Sequence, residues 1–156
     1  MPHKEQRSYI AGLIDGEGCL TIIKHSDSRN RNNPTITYSP TIVISMTDRM
    51  PLDFIQKIYG GAVTLVKKSK DKTKSHYKPM FRYVIDSHNK CLTLLNDILP
   101  YLLVKEKQAK ILVALIKYRK SLPTKALRIK EHLVGRKDNG FLEQIRKLNH
   151  RGIIYA

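Results

Sequence analysis

Two hydrophobic periods alternate along the chain, and the changes between them divide it into elements. Apolar positions at helical spacing predict a first helix from about Lys4 to Asp15. From Cys19 the period drops to two, with Leu20 and Ile22 on one face and Thr21, Ile23 and His25 on the other. The polar run Ser26–Pro34, which carries Arg29 and Arg31, reads as a turn-rich loop. The next strand places Ile36, Tyr38, Ile42, Ile44 and Met46 on one side and Thr37, Ser39, Thr41 and Ser45 on the other, with Val43 out of pattern. Pro40 is expected to force a bulge or leave a ladder bond unmade. Asp48 is placed to cap a short helix through Ile58, which Gly60-Gly61 would end.

The second half repeats this pattern loosely. Val63 and Leu65 against Thr64, Val66 and Lys68 predict a third strand. Phe81, Tyr83 and Ile85 against Met80, Arg82 and Val84 predict a fourth. Between them, Lys67 to Lys78 holds six lysines. Helices are expected over about Ser87–Leu99, stopping before Pro100, and about Lys105–Lys120, with two shorter ones over Leu127–Leu133 and Phe141–Leu148. The expectation is an α+β fold in α-β-β-α-β-β-α order with extra C-terminal helices. With no low-complexity linker, residues 1–156 read as one domain whose helical C-terminal part begins at about residue 121.

Charge narrows the partner. Twenty-nine Lys and Arg against 13 Asp and Glu leave a formal net charge of +16, well beyond the magnitude of about 2–8 that keeps a small domain soluble. Such an excess points to a polyanion, with binding that weakens steeply as salt rises. Ribosomal proteins share this composition, so charge indicates a partner class and not a chemistry. Cys19 and Cys91 have no metal-type spacing and are expected to be reduced thiols in an intracellular protein. The longest apolar run, Ile111 to Ile116, is far short of the roughly 20 residues that cross a bilayer. No secretory apolar region opens the chain, because Gly12, Asp15 and Glu17 interrupt it. The chain is therefore expected to be soluble, with nucleoid, cytoplasm and organelle equally compatible.

The chemistry concentrates in Ile10-Ala11-Gly12-Leu13-Ile14-Asp15-Gly16-Glu17-Gly18. Gly12 and Gly16, four apart, share one helical face, with Ala11 nearby, so a second backbone can approach closely. Asp15 and Glu17 fall where the helix runs out, beside unpaired carbonyls and the negative end of the helix dipole. Two acids in that position are intelligible if a cation joins them.

This nine-residue segment resembles the motif of the LAGLIDADG homing endonucleases, with Ile10 in place of the first leucine, Gly16 in place of the second alanine, and Glu17 as the second acid. The chain has no second acidic GLxDxxG segment, so the simplest use of its small-residue face is a two-fold homodimer through Ala11, Gly12, Asp15 and Gly16. Helices would cover the apolar face of a curved, four-stranded antiparallel sheet. Its polar face (Thr21, His25, Thr37, Ser39, Thr41, Ser45 and Arg82) would lie along double-stranded DNA, while Arg29, Arg31, Lys68, Lys70 and Lys78 grip phosphates.

The resemblance implies Glu17 as the metal ligand, one from each copy beside the two-fold axis, joined by a motif carbonyl at Gly16, and Mg²⁺ (or Mn²⁺) as cofactor. Asp15 then matches the acid that fixes helix ends and the dimer contact. Lys105, opening Lys105-Glu106-Lys107-Gln108-Ala109, resembles the family lysine near the scissile phosphate. Asp48 either orders active-site water or caps its helix, and Leu52 stands where relatives often carry a basic residue. The implied activity is Mg²⁺-dependent double-strand cleavage of a long, pseudo-palindromic site by an intron-encoded homing enzyme. The alternatives on the same fold are a maturase that binds intron RNA and a non-cleaving DNA-binding regulator. Retention of Glu17 counts against the regulator.

Overall fold

A computed structural model describes residues 2–27, 35–66, 78–122 and 131–150. Helix α1 (Lys4–Glu17) leads into strand β1 (Gly18–Asp27), followed by β2 (Thr35–Met46), α2 (Met50–Tyr59), β3 (Ala62–Val66), β4 (Met80–Ile85), α3 (His88–Ile98), a 3₁₀ turn (Leu99–Tyr101), α4 (Glu106–Ser121) and α5 (Glu131–Asn149). The four strands form one antiparallel sheet in the order β1-β2-β4-β3.

Register sorts the side chains. Leu20 pairs with Ile42 and Ile44 with Tyr83, and this face is buried beneath the helices with Ile10, Ile14, Leu52, Leu95, Leu112 and Ile116 in one core. The alternation read from the sequence therefore holds in β1, β2 and β4. It weakens at the edge strand β3, where Leu65 is exposed. Cys91, buried in this core, donates to the Ile85 carbonyl at 3.4 Å and the Pro40 carbonyl at 3.6 Å, and burial pushes its thiol up to about 12. Cys19 is exposed. Among the described residues no helix is long and apolar enough to cross a membrane.

Two expectations are corrected. Pro40 forces no bulge: the β1–β2 register runs unbroken from Gly18↔Ile44 to Asp27↔Thr35. A residue's N–H and C=O leave the same side of a strand. The Pro40 carbonyl faces Cys91, where the ladder to β4 has not yet begun (it starts at Ile42), so the missing N–H costs no ladder bond. At the C-terminal end, helix runs continuously from Glu131 to Asn149 through Gly135 and Gly140, in place of two short helices. Burial of Asp138, Leu142 and Ile145 along one side outweighs the local cost of two helical glycines. Residues 127–130 of the expected first short helix lie outside the described residues.

α2 ends where Gly60 and Gly61 take φ of 73° and 90°, a region that disfavours side chains. Arg49, and not Asp48, is the N-cap of α2; the Asp48 carboxylate, one residue earlier, accepts the Met50 N–H at 2.9 Å and so supports the helix start from outside it.

Candidate nucleic-acid interface and catalytic end

The C-terminus of α1 is tied to the N-terminus of α4 by a reciprocal exchange. Asp15 Oδ2 accepts the N–H groups of Leu103 (2.7 Å) and Val104 (3.2 Å), and Oδ1 accepts that of Lys105 (2.9 Å). Lys105 is the N-cap of α4 and Leu103 and Val104 immediately precede it, so the carboxylate holds the entry to that helix. In return, the Lys105 ammonium donates to the Ile14 carbonyl at 3.0 Å, which also accepts the Gly18 N–H, and to the Asp15 carbonyl, both in the last turn of α1. Desolvation is the largest single influence on Asp15 and would raise its pKa. The three backbone N–H groups, with Lys105 behind them, outweigh it and hold the carboxyl below the usual range.

With both Asp15 oxygens committed, Glu17 is the motif acid left exposed. Its carboxylate takes part in no hydrogen bond or ion pair among the described residues. Gly18 follows in ordinary extended backbone (φ −79°, ψ 150°), but a Cβ there would sit 2.7 Å from the Ile14 carbonyl and 2.9 Å from the Ile14 Cα. Close approach, and not an unusual φ, is what requires the motif's last glycine. Because Gly18 opposes Ile44, the end of β2 and the Ser45–Asp48 corner lie at the same end of the sheet as Glu17. Asp48 is exposed there. Leu52, by contrast, is fully buried in the core.

The outward side of α1 is open. A Cβ added at Gly12 or Gly16 would meet nothing within 4 Å. Tyr9 is 50% exposed on this stripe, and Leu13 lies between the glycines half-buried. Ala11 departs from expectation. It sits three positions before Ile14 and next to Ile10, so helical periodicity turns it into the chain's own core, where it is fully buried. Tyr9 and Leu13 are the outward residues that the sequence reading missed. The stripe's spacing carried the signal. Beside it, Leu103 (89% exposed) and Val104 (71%) present apolar side chains from the loop that Asp15 clamps.

The strand register brings the expected polar residues onto one face. Thr21 opposes Thr41, His25 opposes Thr37, and Ser45 opposes Arg82. His25, Thr37, Lys78 and Arg82 are exposed, while Thr21, Ser39 and Ser45 are partly so. Thr41 is the correction: it is only 1% exposed, with its hydroxyl donating to the Ser39 carbonyl at 3.3 Å. It belongs to the packed floor of the sheet and not to its accessible surface. Thr64, exposed and paired with Arg82, joins the face through the alternation already visible in β3. Arg29, Arg31, Lys68 and Lys70 lie outside the described residues.

Among the described residues, no three His, Cys, Asp or Glu side chains come together to hold a metal ion. One chain offers Glu17, together with the carbonyls of the last α1 turn, including Gly16. Such a sparse oxygen set fits a hard divalent cation that keeps most of its waters or takes phosphate oxygens.

Comparison with known proteins agrees with this arrangement. The sequence profile of the LAGLIDADG endonucleases matches residues 10–118. No curated protein matches in sequence. In structure the chain is similar to the homing endonuclease I-CvuI, solved in complex with its target in the presence of 2 mM Ca, at 22% identity and TM-score 0.62 over 95% of this chain and 97% of that one. It is also similar to the archaeal intron-encoded homing endonuclease I-Vdi141I complexed with DNA (18% identity, TM-score 0.68, covering 97% and 89%). A third likeness is to the group I intron-encoded homing endonuclease I-CeuI complexed with DNA (17%, 0.68, covering 94% and 69%).

Proposed function

This chain belongs to the LAGLIDADG endonuclease family, and from that premise we propose that it is a homing endonuclease that cuts both strands of a long, pseudo-palindromic DNA site as a homodimer. The carrying observation is the exposed Glu17, without a partner among the described residues, at the end of an α1 helix whose Gly12 and Gly16 face those residues leave uncovered. A second copy packed on that face brings a second Glu17 close to the first. Two carboxylates that close resist joint ionisation unless a cation compensates them.

The Glu17 carboxylates of the two copies and the Gly16 carbonyls are the groups that would hold Mg²⁺ or Mn²⁺. When bound, the ion supplies Lewis-acid activation of water and neutralises charge at the scissile phosphate. The neighbour I-CvuI, seen with its target in the presence of Ca, is consistent with that choice of ion class. The protein's own contribution is positional. Lys105 has three N–H donors, of which two are spent on the α1 carbonyls, so one remains for a phosphate oxygen as charge develops. His25, Thr37, Ser39, Ser45, Thr64 and Arg82 take the duplex along the sheet, where the major groove displays a readable donor and acceptor pattern. Asp48 accepts the Met50 N–H through one carboxylate oxygen and stands at the catalytic end, where the other can order water.

The test is cleavage of a supercoiled plasmid carrying the host gene with its intervening sequence removed, in Mg²⁺, in EDTA, and with Glu17→Gln. A single metal-dependent double-strand cut that Glu17→Gln loses, with DNA binding retained, is the expected result. Cutting by the variant at the wild-type rate would remove Glu17 from the metal site. No cut, with tight binding of the intron RNA instead, would move the reading to a maturase.

A further inference from the structure

Much of the basic charge lies in the last third of the sequence. Residues 105–156 hold fourteen Lys and Arg against four Asp and Glu, a net +10 of the chain's +16. Most of this segment is helix. α4 turns Ala109, Leu112 and Ile116 into the core that also contains Leu20 and Ile22 of β1. Its opposite side therefore points away from the sheet, and along it Lys107 and Lys117 are exposed. Lys110, on the same side, is paired with Glu106 at 2.5 Å. Among the described residues no carboxylate lies within ion-pair distance of the other two, so they carry unbalanced charge on the back of the molecule. Lys107 and Lys117 stand about 15 Å apart along the helix axis, a span over which a duplex presents roughly nine phosphates.

We propose that this outer face of α4 is a second, sequence-independent binding surface for duplex DNA, so that one protein holds two DNA segments on opposite faces. The proposal rests on the reading that the polar sheet face takes the first duplex. The chemistry of the face selects the partner. Point charges without an exposed aromatic beside them suit phosphates. Single-stranded nucleic acid is bound on stacking platforms, and the aromatic ring on this helix, Tyr118, is only partly exposed and is engaged with Phe141 and Lys137. Holding a second duplex lets the protein pass between segments without complete release, as a sequence-independent electrostatic grip permits.

The experiment mixes the full chain, in EDTA, with two random-sequence 25-base-pair duplexes bearing different dyes and reads their co-diffusion by two-colour fluorescence cross-correlation. The wild type should bring the colours together. The double variant Lys107→Glu/Lys117→Glu should lower co-diffusion at least about fivefold and the log–log salt slope of total binding by about 2, one for each lysine. The Lys107→Gln/Lys117→Gln variant, with an unchanged melting temperature, should give an intermediate loss. Arg82→Glu, on the sheet, should weaken total binding while co-diffusion persists through the two α4 faces of a dimer. Co-diffusion unchanged in the charge-reversed α4 variant would overturn the proposal. So would loss of duplex RNA binding, but not of DNA binding, in that variant. Loss of co-diffusion with the α4 lysines, together with total binding unchanged by Arg82→Glu, would support the α4 surface while overturning the sheet reading.

Discussion

Asp15 and Glu17 are two acids on one helical turn with opposite assignments, and hydrogen bonding separates them. Asp15 is consumed by three backbone N–H groups, so its contribution is to stability and to the placement of Lys105. Asp15→Ala should cost about 1–2 kcal/mol, in the range of a lost helix cap. The pH dependence follows from its lowered folded-state pKa. The stabilisation is present above the ordinary carboxylate value of about 3.9 and is lost as pH falls through the lower folded value. Urea unfolding of wild type and variant should therefore show a gap at pH 7 that narrows below about pH 4; a gap unchanged at pH 2 would contradict the role. Gly18→Ala should destabilise by about 1–3 kcal/mol, because its methyl group must displace backbone of Ile14. Thermal unfolding measures it, and a neutral result would mean that α1 can shift at its end.

At the scale of elements, α5 is attached by particular contacts. Arg119 of α4 meets the fully buried Asp138 of α5 through Nε at 3.2 Å and through a second guanidinium nitrogen. Burial is the largest influence on Asp138 and raises its pKa, and Arg119 only partly offsets it. Asn149 donates to the Leu20 carbonyl at 2.8 Å, fastening the far end of α5 to β1. Asp138→Ala strands a guanidinium that is mostly buried and should cost about 3–5 kcal/mol. Denaturant unfolding checks this, and a loss under 1 kcal/mol would show that α5 is held by its apolar side alone. None of these partners could be read from spacing. Asp138 and Arg119 are nineteen positions apart and Asn149 and Leu20 are 129 apart, so the sequence reading divided the region where glycine lowered helix propensity. Strand alternation, by contrast, was legible because one face of each inner strand must be buried; the same rule misassigned Thr41, where the floor of the polar face packs shut, and Ile36 and Leu65, which are exposed.

For the whole molecule, the open stripe on α1 sets the assembly. A dimer of about twice the 18.0 kDa chain mass is expected at micromolar concentration. Gly12→Leu should produce a monomer with unchanged melting behaviour, since a side chain there meets nothing of its own chain. Sedimentation distinguishes the outcomes, and a cleaving Gly12→Leu monomer would refute this packing.

What the sequence alone determined is whatever local periodicity and composition control: the element order, the buried face of the inner strands, the nine-residue motif with its family, and the polyanion partner class. Tertiary structure decided how those parts are used. It separated Asp15 from Glu17 by spending one of them on amide groups some ninety residues away. It turned Ala11 inward and left Leu13 beside the glycines, and it set Lys107 and Lys117 on the outer side of α4, away from the core. Each of these depends on which distant backbone donors, side chains or solvent a residue meets, and only the packed chain supplies those neighbours.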